Sequence, residues 1–160
     1  MPTPTADLCD KHIDRLQVAE PIFKSFGKLT AFEGEIHTLK LFEDNTLVRA
    51  ALEKSGHGKV LVIDGGGSLR CALLGDNIAS LILKNGWAGV IVFGCIRDSA
   101  VVNIMEVAIK ALNTNPTKSF KRNEGQENIL VRFAGVAFKP GCYLYSDEDG
   151  LVVSDSPLSV

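Results

Sequence analysis

The sequence has little excess charge of either sign. Seventeen Lys and Arg stand against 19 Asp and Glu, a formal net charge of −2. This removes the electrostatic case for nucleic acid, whose phosphates call for a basic patch. There is no run of about 18 uncharged apolar residues, so no membrane-spanning helix is expected. The N-terminal stretch MPTPTADLCD lacks the basic-then-apolar order of a signal peptide and the arginines of a transit peptide, so a cytoplasmic protein is expected. The four cysteines, Cys9, Cys71, Cys95 and Cys142, form no CxxC or Cys/His ligand pattern. Cys71 and Cys95 sit in apolar stretches and read as small buried hydrophobes. Only three histidines occur, His12, His37 and His57, and none sits in a nucleophile motif, which argues against cysteine catalysis.

What is present is an ordinary globular balance: 160 residues, 46% hydrophobic and 22% charged, one domain spanning 1–160 with enough chain to bury a core. A helix is expected over residues 6–13 and mixed structure over 14–32, with Pro21 and Gly27 as breakers. Residues 35–41 alternate polar and apolar and read as a half-buried strand, with His37 on the polar face as a surface residue. Glu43-Asp44-Asn45 supplies an N-cap for a helix to about residue 53. Residues 59–64 are a continuous apolar run, the mark of a strand buried on both faces. Gly75-Asp76 opens a helix to about residue 84, and residues 88–93 form a second buried run. Residues 99–112 begin as a helix, and 107–112 admit helix or strand. A polar loop covers 113–128. Strands are expected at 129–133, 136–138, 143–146 and 151–154, with turns at Pro140-Gly141 and Glu148-Asp149-Gly150. Alternating strands and helices around buried runs argue for an α/β fold with some parallel pairing.

Four stretches invite a chemical reading. Gly65-Gly66-Gly67 follows a buried strand, but it is neither GxGxxG nor a P-loop. A nucleotide or methyltransferase reading would rest on it alone, and the plainer reading is a close-packed turn. Gly75-Asp76-Asn77-Ile78 stands at a helix start, where backbone N–H groups and the helix dipole suit a carboxylate; the alternative is that Asp76 only caps the helix. Arg97-Asp98 leaves a buried strand, where ligands of open α/β sheets gather. Arg offers a planar fork to a carboxylate or enolate, and Asp a hard oxygen to Mg²⁺ or Mn²⁺; the alternative is a strand-end ion pair. Lys118, Lys121 and Arg122 read as a solvated loop, and Asp147-Glu148-Asp149-Gly150 as a hairpin turn rather than a calcium loop.

Gly75-Asp76, twenty intervening residues and Arg97-Asp98 form a G-D-x20-R-D pattern. With Phe42-Glu43-Asp44-Asn45, the glycine triplet and the closing Asp147-Glu148-Asp149-Gly150 turn, it resembles the 4-hydroxy-4-methyl-2-oxoglutarate/4-carboxy-4-hydroxy-2-oxoadipate aldolases. These belong with the proteins called regulator of ribonuclease activity A. The resemblance implies a compact β/β/α swivelling fold of the ribonuclease-regulator-like type, a homotrimer with sites near subunit interfaces, and a divalent metal cation, Mg²⁺ or Mn²⁺. Carried over by position, Asp98 would bind the metal. Arg97 would hold the pyruvate moiety of a small 2-oxo acid and steady its enolate. Gly75, Asp76, Asn77 and Ile78 would wrap the substrate carboxylate, Asp76 would also orient a water beside the metal, and Lys121 would lie near the site. Longer family members add a C-terminal segment that lends an acid to the neighbouring subunit. This sequence ends at Val160, soon after its last expected strand, and is expected to lack that segment, which bears on catalytic efficiency more than on metal binding.

The activity so implied is metal-dependent aldolase cleavage, with oxaloacetate decarboxylation through the same pyruvate enolate. A lysine Schiff base is the other aldolase route, and no lysine is nominated for it. The rival reading is a non-enzymatic regulator with a ribonuclease partner. The resemblance implies that this branch lacks the metal-binding carboxylate, whereas here both dipeptides are whole.

Overall fold

A computed structural model describes residues 1–160. In chain order the elements are α1 (Thr5–His12), a 3-10 turn (Ile13–Arg15), β1 (Leu16–Val18), β2 (Lys24–Phe26), β3 (Phe32–Lys40), α2 (Thr46–Leu52), β4 (Lys59–Asp64), β5 (Ala72–Leu74), α3 (Asp76–Lys84), β6 (Gly89–Ile96), α4 (Ser99–Val102), β7 (Ile109–Thr114), β8 (Gln126–Glu127), β9 (Val131–Phe133), β10 (Val136–Phe138), β11 (Tyr143–Ser146) and β12 (Leu151–Ser154). No helix is long and apolar enough to cross a membrane.

One mixed sheet organises the molecule. Its order is β1-β12-β11-β3-β4-β6-β7-β2, with β5 on β6 and β8 on β3, while β9 and β10 pair as a separate hairpin. The centre is parallel: β3 with β4, β4 with β6, β6 with β7, and β5 with β6. The flanks are antiparallel. The architecture is the α/β fold with a large sheet and few helices that the resemblance implies.

The continuous apolar runs acquire their reason here. Successive side chains of a strand face opposite ways. On β4, Leu61 and Ile63 enter the core under α2, α3 and α4, while Val60 and Val62 enter the core under the β9–β10 hairpin. On β6, Val90 and Val92 face the first core and Ile91 the second. Each of these strands is buried on both faces, so polar alternation has no place in it. A third, small cluster of Leu8, Tyr145 and Val152 seats α1.

Several elements differ from expectation. The mixed stretch 14–32 holds β1 and β2, and β3 begins at Phe32 rather than 35. Residues 107–112 resolve as strand: β7 lies parallel to β6, with Ile109 and Ala111 in the first core. The helix before it is only Ser99–Val102. The 113–128 loop starts with the end of β7 and ends in β8, and β9 starts at Val131 rather than 129. His37 is half-buried and bonded to Glu127 at 2.8 Å, so it ties β3 to β8 rather than standing free at the surface. Cys71 and Cys95 are buried, as expected.

Candidate functional site

The two dipeptides meet because the strands that deliver them are neighbours. β5 pairs parallel with β6, Ala72 opposite Cys95 and Leu74 opposite Ile96. Both strands end at the same sheet edge, one passing through Gly75 into α3 and the other through Arg97-Asp98 into α4. The Arg97 N–H donates to the Leu74 carbonyl at 2.9 Å, which locks the two exits together. The twenty residues between the dipeptides are α3, its closing turn and β6. The result is a cleft of about 100 Å³ beyond the carboxyl ends of parallel strands, lined by Gly75, Asp76, Asn77, Ile78, Arg97 and Asp98.

Asp98 sits in the left-handed region at φ 57°, which Asp tolerates better than most residues. That conformation brings its side chain back to the start of α3, where Oδ2 accepts the Asp76 N–H at 3.1 Å. Gly75, the N-cap, offers no side chain, so Asp98 caps α3 from a neighbouring segment. Asp76 also accepts the Asn77 N–H through Oδ1 at 2.8 Å, so it does share the capping. Two of the N–H groups expected to wrap a substrate carboxylate are therefore engaged, and an incoming carboxylate would compete for them. Gly75 itself is extended, at φ −132°, so its need for glycine is spatial. A Cβ there would lie 2.4 Å from Asp98 Oδ2 and 3.2 Å from Arg97 Cγ.

Arg97 and Asp98 form no ion pair, which removes the strand-end alternative. The Arg97 guanidinium donates only to the Pro116 carbonyl, through Nη1 at 3.4 Å, leaving the rest of its fork open to the cleft. Lys121 lines the same cleft, as do Lys118 and Arg49, which sequence reasoning missed. Arg122 turns away and stacks over Phe120, with Cζ 5.5 Å from the ring centroid. The basic cluster is a solvated loop, as expected, and within it Lys118 and Lys121 also line the cleft.

Asp44 holds this basic loop in place. Its Oδ1 accepts the Thr46 N–H and hydroxyl at 2.9 and 2.6 Å, so it caps α2 from the position before the N-cap Asn45. Its Oδ2 accepts the Arg122 and Glu124 N–H groups at 2.8 and 3.1 Å. Burial alone would push the Asp44 carboxyl up, but these hydrogen bonds outweigh it and hold it at about 2. Asn45 N donates to Ser119 Oγ at 3.1 Å and Ala72 N to the Thr117 carbonyl at 2.8 Å, pinning the loop against the cleft.

No three His, Cys, Asp or Glu side chains converge closely enough to hold a metal ion by themselves. The carboxylates at the cleft are those of Asp98 and Asp76, and Asp98 Oδ1 carries no protein hydrogen bond. That sparse set suits a hard cation that keeps most of its water, as Mg²⁺ does, and not a tetrahedral zinc site.

The glycine triplet is a packed turn. Gly66 and Gly67 take positive φ, and a Cβ on residues 65–67 would strike Leu73, Phe42 or Phe93. The Asp147 turn is the expected hairpin, its Oδ1 accepting the N–H groups of Asp149 and Gly150.

The parallel strands of this α/β protein thus bring an open arginine fork, a free carboxylate oxygen and a helix start to one cleft with Arg49, Lys118 and Lys121. The chain belongs to the RraA-like family, described as Aldolase/RraA, whose model matches residues 5–153. A relative from Aromatoleum aromaticum, named "putative 4-hydroxy-4-methyl-2-oxoglutarate aldolase", is 57% identical over 96% of this chain and 97% of its own. A relative of the same name from Alkalilimnicola ehrlichii is 53% identical over 99% and 98%. Among solved structures, a Geobacillus kaustophilus protein described as S-adenosylmethionine:2-dimethylmenaquinone methyltransferase superposes with a TM-score of 0.95 at 49% identity, over 98% of this chain and 97% of that one. The RNA-processing inhibitor RraA from Thermus thermophilis superposes with a TM-score of 0.95 at 43% identity, over 99% and 96%.

Proposed function

We propose that this chain is a divalent-metal-dependent carbon–carbon lyase. It cleaves 4-hydroxy-4-methyl-2-oxoglutarate to pyruvate and decarboxylates oxaloacetate, acting in the cytoplasm as a homotrimer. The observation that carries the reading is the single cleft in which Arg97, Asp98, Asp76 and the start of α3 meet beside Arg49, Lys118 and Lys121. The name shared by the Aromatoleum and Alkalilimnicola relatives agrees with it. Four free cysteines, three of them buried, suit a reducing compartment.

The substrate has a carboxylate at each end. Arg97 pairs through its planar fork with the carboxylate of the 2-oxo acid half. Arg49, Lys118 and Lys121 receive the far carboxylate. Asp76 holds a water that takes the proton of the 4-hydroxyl group. The C3–C4 bond then breaks, one half leaving as pyruvate and the other as the pyruvate enolate. Arg97 places a fixed positive charge where the enolate oxygen develops, and the same water returns the proton to carbon. A divalent cation held through Asp98 would polarise the 2-oxo group as a Lewis acid. With oxaloacetate the corresponding bond releases carbon dioxide and leaves the same enolate. Lys118 and Lys121 are exposed, so neither has the burial that a Schiff-base lysine requires.

The test incubates the purified chain with oxaloacetate and Mg²⁺ or Mn²⁺, coupling pyruvate release to NADH oxidation, with EDTA, Arg97→Ala and Asp98→Ala as controls. Turnover should exceed the metal-only rate, vanish with EDTA and fall about 100-fold or more in either variant with circular dichroism unchanged. A variant that keeps most of the wild-type rate refutes the assignment. A second reading, a regulator that binds and inhibits a ribonuclease, is favoured by the likeness to the Thermus protein. It takes the lead if wild type shows no rate above free metal. The methyltransferase name of the Geobacillus protein gains no support here, because side chains fill the space around the glycine turn.

A further inference from the structure

Lys110 is the only lysine that the fold buries, at 6% exposure. It lies on β7 opposite Ile91 of β6, on the face that carries Ala108 into the second core. Its Nζ donates to the backbone carbonyl of Asp147 at 2.8 Å and belongs to none of the chain's four ion pairs. The nearest acids are occupied. The Asp147 carboxylate accepts from Thr5 N and Oγ1 at 2.8 and 2.7 Å and from its own turn, and Glu148 Oε1 accepts from the Thr30 hydroxyl. One residue before Asp147, the buried Ser146 hydroxyl has no hydrogen-bond partner. A buried ammonium without a carboxylate is costly, and shedding its proton relieves that cost. Burial accordingly pushes the Lys110 pKa down, with Asp147 and Glu148 partly opposing.

The amine borders a hollow of about 150 Å³ walled by Phe23 and Leu151 and rimmed by Glu20, Glu148 and Asp149. A rim of three acids repels anionic ligands and favours a product that is a cation. We propose that Lys110 is a covalent binding site for small uncharged aldehydes or ketones. The Nζ lone pair attacks the carbonyl carbon and a C–N bond forms. The carbonyl oxygen departs as water, and with one proton taken from solvent the product is a protonated imine facing the acidic rim. The site is separate from the Arg97–Asp98 cleft. Arg97 stands six residues beyond Ile91, roughly 20 Å along the strand direction at ~3.3 Å per residue.

The test exposes the full chain near neutral pH to propanal or to the anionic aldehyde glyoxylate, each with cyanoborohydride to fix any imine, and maps the adducts by peptide mass spectrometry. With propanal, Lys110 should be modified several-fold faster than the exposed Lys118 and Lys121, and with glyoxylate that preference should disappear. Lys110→Met should lose the fast adduct and keep wild-type oxaloacetate turnover, whereas Asp98→Ala should keep the adduct. Modification of Lys110 by propanal no faster than Lys118 or Lys121, or equally fast by glyoxylate, overturns the proposal. Both readings come from wild-type protein and stand even if Lys110→Met fails to fold.

Discussion

Position 75 shows how one missing methyl group shapes the cleft. The Gly75 backbone is extended, so alanine meets no conformational penalty there, but the place of its Cβ is taken by the Asp98 carboxylate at 2.4 Å. Asp98 cannot readily give way, because its left-handed backbone and its bond to the Asp76 N–H fix the side chain on that side. Gly75→Ala should therefore push Asp98 off the start of α3, costing about 1 kcal/mol by local overpacking. The loss of oxaloacetate turnover should be much larger, about 100-fold, because the carboxylate proposed to hold the cation would be misplaced. Urea unfolding measures the first quantity and the coupled assay the second. Turnover near wild type would mean that Asp98 has room the structure does not show.

At the scale of elements, the segment following β7 behaves as a part of the site because Asp44 anchors it. The Asp44 carboxyl is 2% exposed and titrates at about 2 in the fold, against 3.8 when free. A depressed folded-state value means the stabilisation is fully present above about 4 and is lost as pH falls through about 2, a contribution of about 2 kcal/mol. In Asp44→Asn the oxygen facing Thr46 survives, while an amide NH₂ replaces the oxygen that serves Arg122 and Glu124. Urea unfolding should show the variant about 2 kcal/mol less stable at neutral pH, with the gap closing toward pH 2, and the amides of residues 119–124 should exchange faster. A gap that is independent of pH would remove the carboxylate from the explanation.

The same clamp marks what was legible in the sequence. β4, α3, β10, β11 and β12 fall where patterning put them, because each is a long apolar run or is bracketed by turn residues. β1, β2, β5 and β8 have two or three residues each, less than two full alternations, and exist because a neighbour supplies the ladder, as β12 does for Leu16 through Val18. Gly75-Asp76 and Arg97-Asp98 were readable singly, as a helix start and a strand exit; the family resemblance joined them by their spacing, and the parallel pairing of β5 with β6 gives that spacing its physical reason. Lys118 and Arg49 were not, because what brings them to the cleft runs through contacts such as Asp44 to Arg122, 78 residues apart.

At the scale of the whole molecule, three large apolar side chains stand exposed on segments that lie together. Phe42, Leu69 and Phe120 are 53%, 54% and 61% exposed. They project from three segments that Glu43 ties together. Its carboxylate holds Arg70 at 2.7 and 2.8 Å and its carbonyl accepts the Phe120 N–H at 2.9 Å. Arg70 and Arg122 each lie over one of these rings, so the patch pairs aromatic faces with cations, as interfaces often do. It adjoins the loop that carries Lys118 and Lys121. A ring of three copies needs a heterologous contact, one patch of each chain against a different patch of the next, and we propose this surface as one half of it. Light scattering on the purified protein should give three times the 17.2 kDa chain mass. The double variant Phe42→Asp, Phe120→Asp should give a single chain, because a charge on each ring makes covering the patch unfavourable. Turnover should fall with assembly, since the basic loop loses its neighbour. A wild-type mass of one chain would end the trimer proposal, and a double variant that still forms trimers would place the contact on another face.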